Sequence, residues 1–589
     1  LVLGIFAFNV FFHKPILDSL LFSIALAVGL TPQLLPAIIN INLSRGSQAM
    51  AKRGVIVRRL ESIENFGSMD ILCTDKTGTL TAGVVQLDGA VDAAGRPSDE
   101  VNLFAYLNAS LQTGLPNPLD EAIIAKGDPG AGEYQKIDEI PYDFVRKRLS
   151  VIVERGGQRM EITKGALENV LAVCCCLREG GQDLPMDDEH QKALHKRYED
   201  WSEQGYRVLG VAVKSVPRQE HAYAHTDEAS LTFVGFLLFL DPPKPGVAQT
   251  IQDLEKLGIR LKIITGDNRL VARHTAAAVG LGEVAILTGS DLDRLRDEAL
   301  WKAVEDTTIF AEVDPNEKER IILALKKRGH VVGYMGDGIN DAPSLHSADV
   351  GISVENAVDV AKQAADLVLL KQDLNVLREG ILQGRQTFAN TLKYVFMATS
   401  ANFGNMFSMA GASLFLPYLP MLPKQILLIN FLTDLPEMTI AGDNVDPVYV
   451  ERPHRWDIGF IRRFMLVFGP LSSLFDFATF AVLLWGLRAS EPVFHTGWFI
   501  ESILSASLVV FTIRTRQPLG KSHPSRAMML VTALTAAAAL LLPYTPLAAP
   551  LGLAPLPFTT LLVLLGIVVL YFFSAELTKR WFYRRIKDG

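Results

Sequence analysis

The sequence predicts a multidomain α/β protein that is also an α-helical membrane protein: a doubly wound sheet with a second α/β module inserted in it, plus a polytopic bundle of transmembrane helices. Three observations predict it. Long apolar runs crowd the two ends of the 589-residue chain, while the middle reads as ordinary globular sequence. Three apolar runs in that middle end in acid-bearing turns followed by helix-like sequence, as strand–turn–helix units do. Basic residues concentrate in every second loop between the terminal apolar runs, as they do around membrane spans.

The membrane spans come first. A helix needs about 20 apolar residues to cross the hydrocarbon core. Residues 16–39 qualify, with 1–12 as the remainder of an earlier span, and 394–416, 421–440, 464–487, 494–513, 528–544 and 558–577 follow. The expectation is seven whole spans and a fragment. Arg452, Arg455, Arg462 and Arg463 lie in one basic loop, Arg514, Arg516, Lys521 and Arg526 in another, and Lys579, Arg580, Arg584, Arg585 and Lys587 in the tail. The alternate loops carry little more than Lys424 and Arg488. That asymmetry places the large middle region in the cytoplasm.

Composition agrees. A mean hydropathy of +0.22 and 49% hydrophobic residues are high for a soluble protein, and the excess lies at the ends. A net charge of −7 excludes a general nucleic-acid binder. Cys73 and the run Cys174, Cys175 and Cys176 form no CxxC pair. They predict neither a disulfide framework nor a zinc site, and the thiols read as buried or inert in a reducing compartment. Leu1 falls inside an apolar run with no charged leader, so the expectation is a chain cut at its front.

In the middle, Ile71-Leu72-Cys73 leads to Asp75, Leu261 to Ile264 leads to Thr265-Gly266-Asp267, and Val331 to Met335 leads to Gly336-Asp337-Gly338. If these strands are neighbours, their acids meet at the carboxyl edge of one sheet, where such folds bind ligands. About 160 residues between the first unit and the other two read as the inserted module. Asp75 is a reasonable nucleophile for a phosphoryl group. Phosphoryl transfer then requires charge compensation. Asp337 and Asp341 of GDGIND offer oxygen ligands for Mg²⁺, Lys318 of VDPNEKER offers a cation, and Thr265 offers a hydroxyl. No GxxxxGK[ST] loop occurs, so nucleotide is held another way.

DKTGTLT, KGA, DPPK, TGDN and GDGINDAPSL, in that order, resemble the P-type cation-transporting ATPases, whose phosphorylation domain has a haloacid-dehalogenase-like fold. The resemblance implies that ATP phosphorylates Asp75. It implies that Thr77 helps hold phosphate and Mg²⁺, with Asp75, Asp337 and Asp341 around the metal and Asn340 in support, while Lys318 and Thr265 touch the phosphoryl group. Gly266, Asp267 and Asn340 join the nucleotide-binding residues. The inserted module resembles the family's nucleotide-binding domain, with Phe144 stacking on adenine and Asp120, Arg146, Lys164 and Gly165 as further contacts. The implied layout is membrane helices 1–43, a stalk 44–61, phosphorylation domain 62–82 and 241–383, nucleotide-binding domain 83–240, and six membrane helices with a basic tail 384–589.

Polar groups within a bilayer are functional hypotheses by default. Asn430, Asp434 and Glu437 fall at i, i+4 and i+7 on one helical face, and Asn402 and Asn405 share a face of the preceding span. Pro32 and Pro36 would free backbone carbonyls. Together these are hard-cation ligands, and the absence of a CPC triplet argues against soft metals. NFGNMFSMAGASLFLPYLPMLP, DNVD, RFMLVFGPLSSLFDFATFAVLLW and HTGWFIESILSASLVVFTIRTR resemble the bacterial magnesium-transporting branch. That implies ATP-driven Mg²⁺ entry across the cell membrane. Gln33 stands where many members carry Glu, and TDLPE adds Pro436 and Glu437, so a calcium- or proton-translocating member is the alternative. The family's TGE loop is missing from the sequence, so its actuator domain is expected to precede Leu1, and the chain as given would be phosphorylated without completing a cycle. A phosphatase on a membrane anchor needs far fewer apolar stretches. Retention of Asp75, Thr77, Lys318 and Asp337 together speaks against a non-catalytic scaffold or ion sensor derived from a pump, while the missing actuator keeps that alternative open for the chain as given.

Overall fold

The computed structural model describes residues 2–586 except 13–14, 31–34, 115–116, 144 and 219–221. It divides into two compact units, Asp70–Asn375, and Leu1–Met69 with Val376–Gly589.

The first unit is built on parallel strands β1 (Ile71–Thr74), β2 (Arg260–Ile264), β3 (Ile286–Thr288), β4 (Ile309–Ala311), β5 (Val332–Met335), β6 (Val350–Val354) and β7 (Leu367–Leu369). They lie in the order β7-β6-β5-β1-β2-β4-β3. Both faces are covered, which is why the strands read as unbroken apolar runs: Ile71, Leu72, Cys73, Ile263, Ile264, Val332 and Tyr334 are all buried. The registers matter most. Thr74 pairs with Ile263 on one side and with Met335 on the other. The turns that follow, carrying Asp75, Thr265 to Asp267 and Gly336 to Gly338, therefore leave the sheet at one level.

Helix starts after these strands are set by side chains. Asn268 caps Arg269–Ala278 by accepting the Val271 N–H. Asp314 caps Pro315–Lys327 in a reciprocal box with Glu317, with Pro315 in the first turn, where a missing N–H costs nothing. Lys318 lies on the buried face of that helix, with Ile321, Ile322 and Leu325.

A second sheet occupies the inserted region. Its path is Gln135–Asp143, Arg148–Arg155, Gln158–Ala166, Arg207–Val216, Leu231–Leu240, Cys174–Glu179 and Gln182–Pro185, and Gln86–Asp92 pairs with Leu231–Leu240. Helix Asp99–Leu111, capped by Ser98, packs Val101, Phe104 and Leu107 on Val151, Val153, Ile162 and Val211. All four cysteines are free; Cys73 is buried and Cys175 exposed.

In the other unit, four helices among the described residues are long and apolar enough to cross a membrane: Ile458–Gly486, Glu491–Ile513, Arg526–Tyr544 and Phe558–Arg585. The expected span 394–416 is part of the 42-residue helix Leu374–Phe415, and 421–440 becomes the 16-residue helix Pro423–Met438. Asn402, Asn405, serines and glycines dilute the first, and Pro423 and Pro436 near its ends shorten the second. The expected span 16–39 is two helices, Ile16–Leu30 and Leu35–Ala51; Pro32 and Gln33 lie outside the described residues. Helix Leu374–Phe415 packs closely on Ile458–Ala481 through glycine, since a Cβ on Gly469 would come within 2.4 Å of Phe403 and one on Gly404 within 2.9 Å of Ser472. Small residues let helices approach where no water drives association. Buried Asp443 of DNVD binds Lys393 at 3.0 Å and Arg514 at 2.8 Å, tying three segments together.

Candidate active site

Asp75 is the first residue past β1, its carboxyl 22% exposed and so reachable from outside. Lys318 places its ammonium 2.7 Å from Asp75 Oδ2 and 3.0 Å from Asp341 Oδ1. Asp341 is buried. Its Oδ1 also accepts the Tyr334 hydroxyl at 2.6 Å, and its Oδ2 accepts the Asp337 and Gly338 N–H groups at 3.2 and 3.1 Å. Both its oxygens are thus engaged inward, which makes it an anchor for Lys318 and for the GDGIND turn.

Charges in this cluster work on one another. Burial pushes Asp75 up, Lys318 pulls it back, and Asp341 and Asp267 push it up again, for a net rise. Burial alone would lower Lys318, but Asp75 and Asp341 hold it above the ordinary lysine range. It is a permanent cation. Asp337 is raised by burial and then by the charges of Asp341 and Asp75. Its Oδ2 accepts one side-chain hydrogen bond, from Gln372 at 3.2 Å. Gly78 explains how the Asp75 loop comes so near. Its φ of +73° favours glycine, and a Cβ there would sit 2.7 Å from Gln372 Nε2 and 3.4 Å from Asp337 Oδ2.

The TGDN turn closes the other side. Thr265 is buried and its Oγ1 accepts the Asp267 N–H at 3.2 Å. Asp267 pairs with Lys76 at 2.5 Å, and Arg207 stands 3.8 Å away. Burial works to raise Asp267, but Lys76 and then Arg207 outweigh it, so it is held below the usual carboxylate range. Thr77, Gly266 and Asn340 are exposed at this rim. The turns bring Asp75, Asp267, Lys318, Asp337 and Asp341 together around one crevice.

In the inserted module, buried Lys164 and Asp120 form an ion pair, and Gln112 donates to the second Asp120 oxygen at 2.8 Å. Burial lowers Lys164, and Asp120 opposes that shift. Arg146 binds Glu228 at 2.5 Å and the Pro141 carbonyl at 2.7 Å. It lines a pocket with Tyr142, Tyr223 and His225. Gly165 packs so closely that a Cβ would meet the Lys147 carbonyl at 2.5 Å. Phe144 lies outside the described residues.

In the membrane unit, Asn405 and Glu437 line one cavity with Ser400, Ser472, Ser505 and Tyr571. Its water-sized space is about 20 Å³, roughly one water or one dehydrated ion. Asn402, Asn430 and Asp434 are half-buried and do not line it.

Residues 120–246 match the family model described as P-type ATPase, cytoplasmic domain N, and residues 418–581 match the one described as Cation transporting ATPase, C-terminus. A Magnesium-transporting ATPase, P-type 1, of Salmonella typhimurium is 45% identical over 579 residues, 96% of this chain. The chain carries domains of the P-type cation-transporting ATPases. A relative of the same name in Escherichia coli K12 is 44% identical over the same share. Calcium-transporting ATPase 1 of Bacillus cereus is 32% identical over 75% of the chain and 53% of its own length. The chain spans 64% of the length of the two magnesium-transporting relatives. With four helices long and apolar enough to cross a membrane among the described residues, the chain is a multi-pass membrane protein with its catalytic domains cytoplasmic.

Several residues of this P-type site escaped the sequence reading. Asp241 accepts the Thr81 hydroxyl at 2.5 Å and the Gly83 N–H at 3.0 Å, while Lys244 donates to the Gly78 carbonyl and, at 2.8 Å, to that of Gln372. DPPK therefore fastens the loop behind Asp75, and its place in the ordered motifs was the available signal. Lys76, Gln372, Tyr334 and Arg207 left none.

Proposed function

We propose that this protein moves magnesium ions across the cell membrane into the cytoplasm at the expense of ATP, through an aspartyl-phosphate on Asp75. The observation that carries the proposal is the Lys318 ammonium held between Asp75 and Asp341. Three segments far apart in sequence deliver a nucleophile, a permanent cation and a metal-competent carboxylate to one crevice. In the transfer step an Asp75 oxygen bonds to the terminal phosphorus of ATP as the bond to the bridging oxygen breaks, and ADP leaves. Lys318 lowers the cost of an ionised Asp75 and faces the charge on the transferring group. Thr77 at the rim and the buried Thr265 hydroxyl beneath it serve to orient that group.

The residues fit a magnesium ion. Asp337, pushed up by burial and by two neighbouring acids, is a carboxylate that a cation would relieve, and Asp75 supplies a second oxygen beside it. When bound, the ion adds positive charge where phosphoryl oxygens gather. Lys164, Asp120, Gly165 and Arg146 serve the nucleotide, with Phe144 as the stacking aromatic. Glu437 and Asn405 offer the transported cation carboxylate and amide oxygens. Magnesium is preferred because relatives named for it match nearly the whole chain at 44–45% identity, against 32% for the calcium-transporting one.

The test is flux. In sealed vesicles loaded with Mg²⁺ and holding this chain together with an actuator domain, with the α/β unit facing outward, added ATP is expected to empty the lumen, and Asp75→Asn to stop it. Flux that survives in Asp75→Asn, or ATP-driven movement of Ca²⁺ in place of Mg²⁺, overturns the reading.

A further inference from the structure

The run Cys174-Cys175-Cys176 opens the strand Cys174–Glu179 of the inserted module. A regular strand turns neighbouring side chains to opposite faces, which would hold Cys175 and Cys176 apart. Here the strand is bulged. Beside the parallel strand Leu231–Leu240, Leu231 pairs with Cys174 and Thr232 with Cys176, so Cys175 is the extra residue between them. Its carbonyl accepts the Met186 N–H at 2.9 Å. A bulge bends its strand and re-aims a side chain. The outcome is two neighbouring thiols whose sulfurs lie 3.3 Å apart, Cys175 exposed and Cys176 half-buried.

The other two cysteines take no part. Cys174 Sγ donates to the Val170 carbonyl at 3.2 Å. Its side chain packs on the apolar cluster that holds Leu171 and Leu177, and burial pushes the thiol up to about 12. Cys73 is buried in β1.

A disulfide between Cys175 and Cys176 is disfavoured. Their peptide bond is trans, which sets the Cα atoms about 3.8 Å apart, short of the roughly 4.4 Å at which disulfide geometry begins. They share a proton instead. The hydrogen bond with Cys175 is the main reason Cys176 stands above the ordinary thiol range, with burial and then the charges of Cys175 and Asp183 adding to it. Thiol sulfur offers little to a hard ion such as Mg²⁺, so neither the metal used with ATP nor a transported one competes for the pair.

A soft centre is another matter. With bonds of about 2.3 Å, as zinc makes to thiolate, a tetrahedral ion spans roughly 3.8 Å between two sulfurs, whereas a pyramidal trivalent centre with near-right angles spans about 3.3 Å. The pair already has the second spacing. Among the described residues no group of three His, Cys, Asp or Glu is placed to hold a metal. A centre that needs two sulfurs and brings its own third group suits what is present.

We infer that Cys175 and Cys176 form a binding site for trivalent arsenic compounds of the form R–As(OH)₂, held as a two-sulfur chelate. Two As–O bonds break and two As–S bonds form. Each thiol proton leaves with a hydroxyl as water, and arsenic keeps its oxidation state, so no oxidant or reductant enters. The catalytic domains are cytoplasmic, where thiols are kept reduced, so both sulfurs stay available. The site belongs to the inserted module alone and stands whichever cation the protein carries.

Phenylarsine oxide is the probe. Titration of reactive thiols in the purified full chain, before and after the probe, is expected to show both thiols protected, with a mass gain of one phenylarsenic group per chain. A dithiol such as dimercaptopropanol should release them, and an equal concentration of a monothiol should not. Cys175→Ser, at an exposed position, should weaken retention about a hundredfold or more, because one As–S bond loses the advantage of the second. Cys176→Ser should do the same, and Cys174→Ser should bind as the wild type does. If Cys176→Ser does not fold, Cys175→Ser alone decides. Equal retention by wild type and Cys175→Ser overturns the inference. So does retention lost in Cys174→Ser, which would make Cys174 and Cys176 the pair.

Discussion

Replacing Lys318 by methionine keeps its packing stem and removes one charge. The ammonium lies 2.7 Å from Asp75 and 3.0 Å from Asp341. At an effective dielectric of about 20, those separations correspond to roughly 6 and 5.5 kcal/mol of attraction. Desolvating the ammonium takes back much of this, and removing one partner of a buried pair costs about 3–5 kcal/mol net. If about 4 kcal/mol of that is expressed in the step that uses Asp75, phosphorylation slows by roughly three orders of magnitude. The pH dependence separates charge from shape. Burial and Asp341 raise Asp75, and Lys318 lowers it. Without the lysine Asp75 stays protonated to higher pH, so the residual rate should climb as pH rises. Single-turnover phosphoenzyme formation from ATP, with the thermal midpoint as a control, measures both. A Lys318→Met protein phosphorylated at close to the wild-type rate, or a residual rate that falls with pH, refutes the reasoning.

Two other perturbations probe the inserted module. Glu161 is pushed up to about 7, by burial first and then by Glu228, with Lys214 opposing. The unfolded chain releases this proton near the ordinary glutamate value of 4.5 while the folded one holds it to about 7. Stability should therefore fall as pH rises through that window, by on the order of 3 kcal/mol. Glu161→Gln should flatten the slope in denaturation curves of the α/β unit, and an unchanged slope would contradict the assignment. Gly165→Ala would set a methyl 2.5 Å from the Lys147 carbonyl and 2.7 Å from Arg148 Cα, backbone that cannot yield cheaply because Lys147 already has a φ of +49°. A loss of about 1–3 kcal/mol in stability and weaker binding of a fluorescent ATP analogue should follow.

Much of the α/β unit was legible because its signals are local. Unbroken apolar runs ending in Asp75, Asp267 and Asp337 announce buried parallel strands, and neighbouring registers at Thr74 do the rest. Lys318 was readable for a similar reason, since the Asp314–Glu317 cap fixes where its helix begins. What stayed hidden depends on pairing across the fold. Asp341 reads as a metal ligand in GDGIND, yet Tyr334 and two N–H groups turn it inward. Lys76 meets Asp267, and Gln372 meets Asp337, across separations no periodicity reports. The membrane unit was harder. Asp434 and Glu437 share a helical face, but only Glu437 reaches the cavity, because neighbouring helices decide what a face sees.

The central claim is that Asp75 takes a phosphoryl group from ATP within the crevice it shares with Lys318 and Asp337. Incubating the protein with radiolabelled ATP and Mg²⁺, quenching in acid and mapping the labelled peptide tests it most directly. The account predicts an acid-stable, hydroxylamine-labile label on the peptide holding Asp75, absent from Asp75→Asn. A label on any other residue, or one that persists in Asp75→Asn, would contradict it.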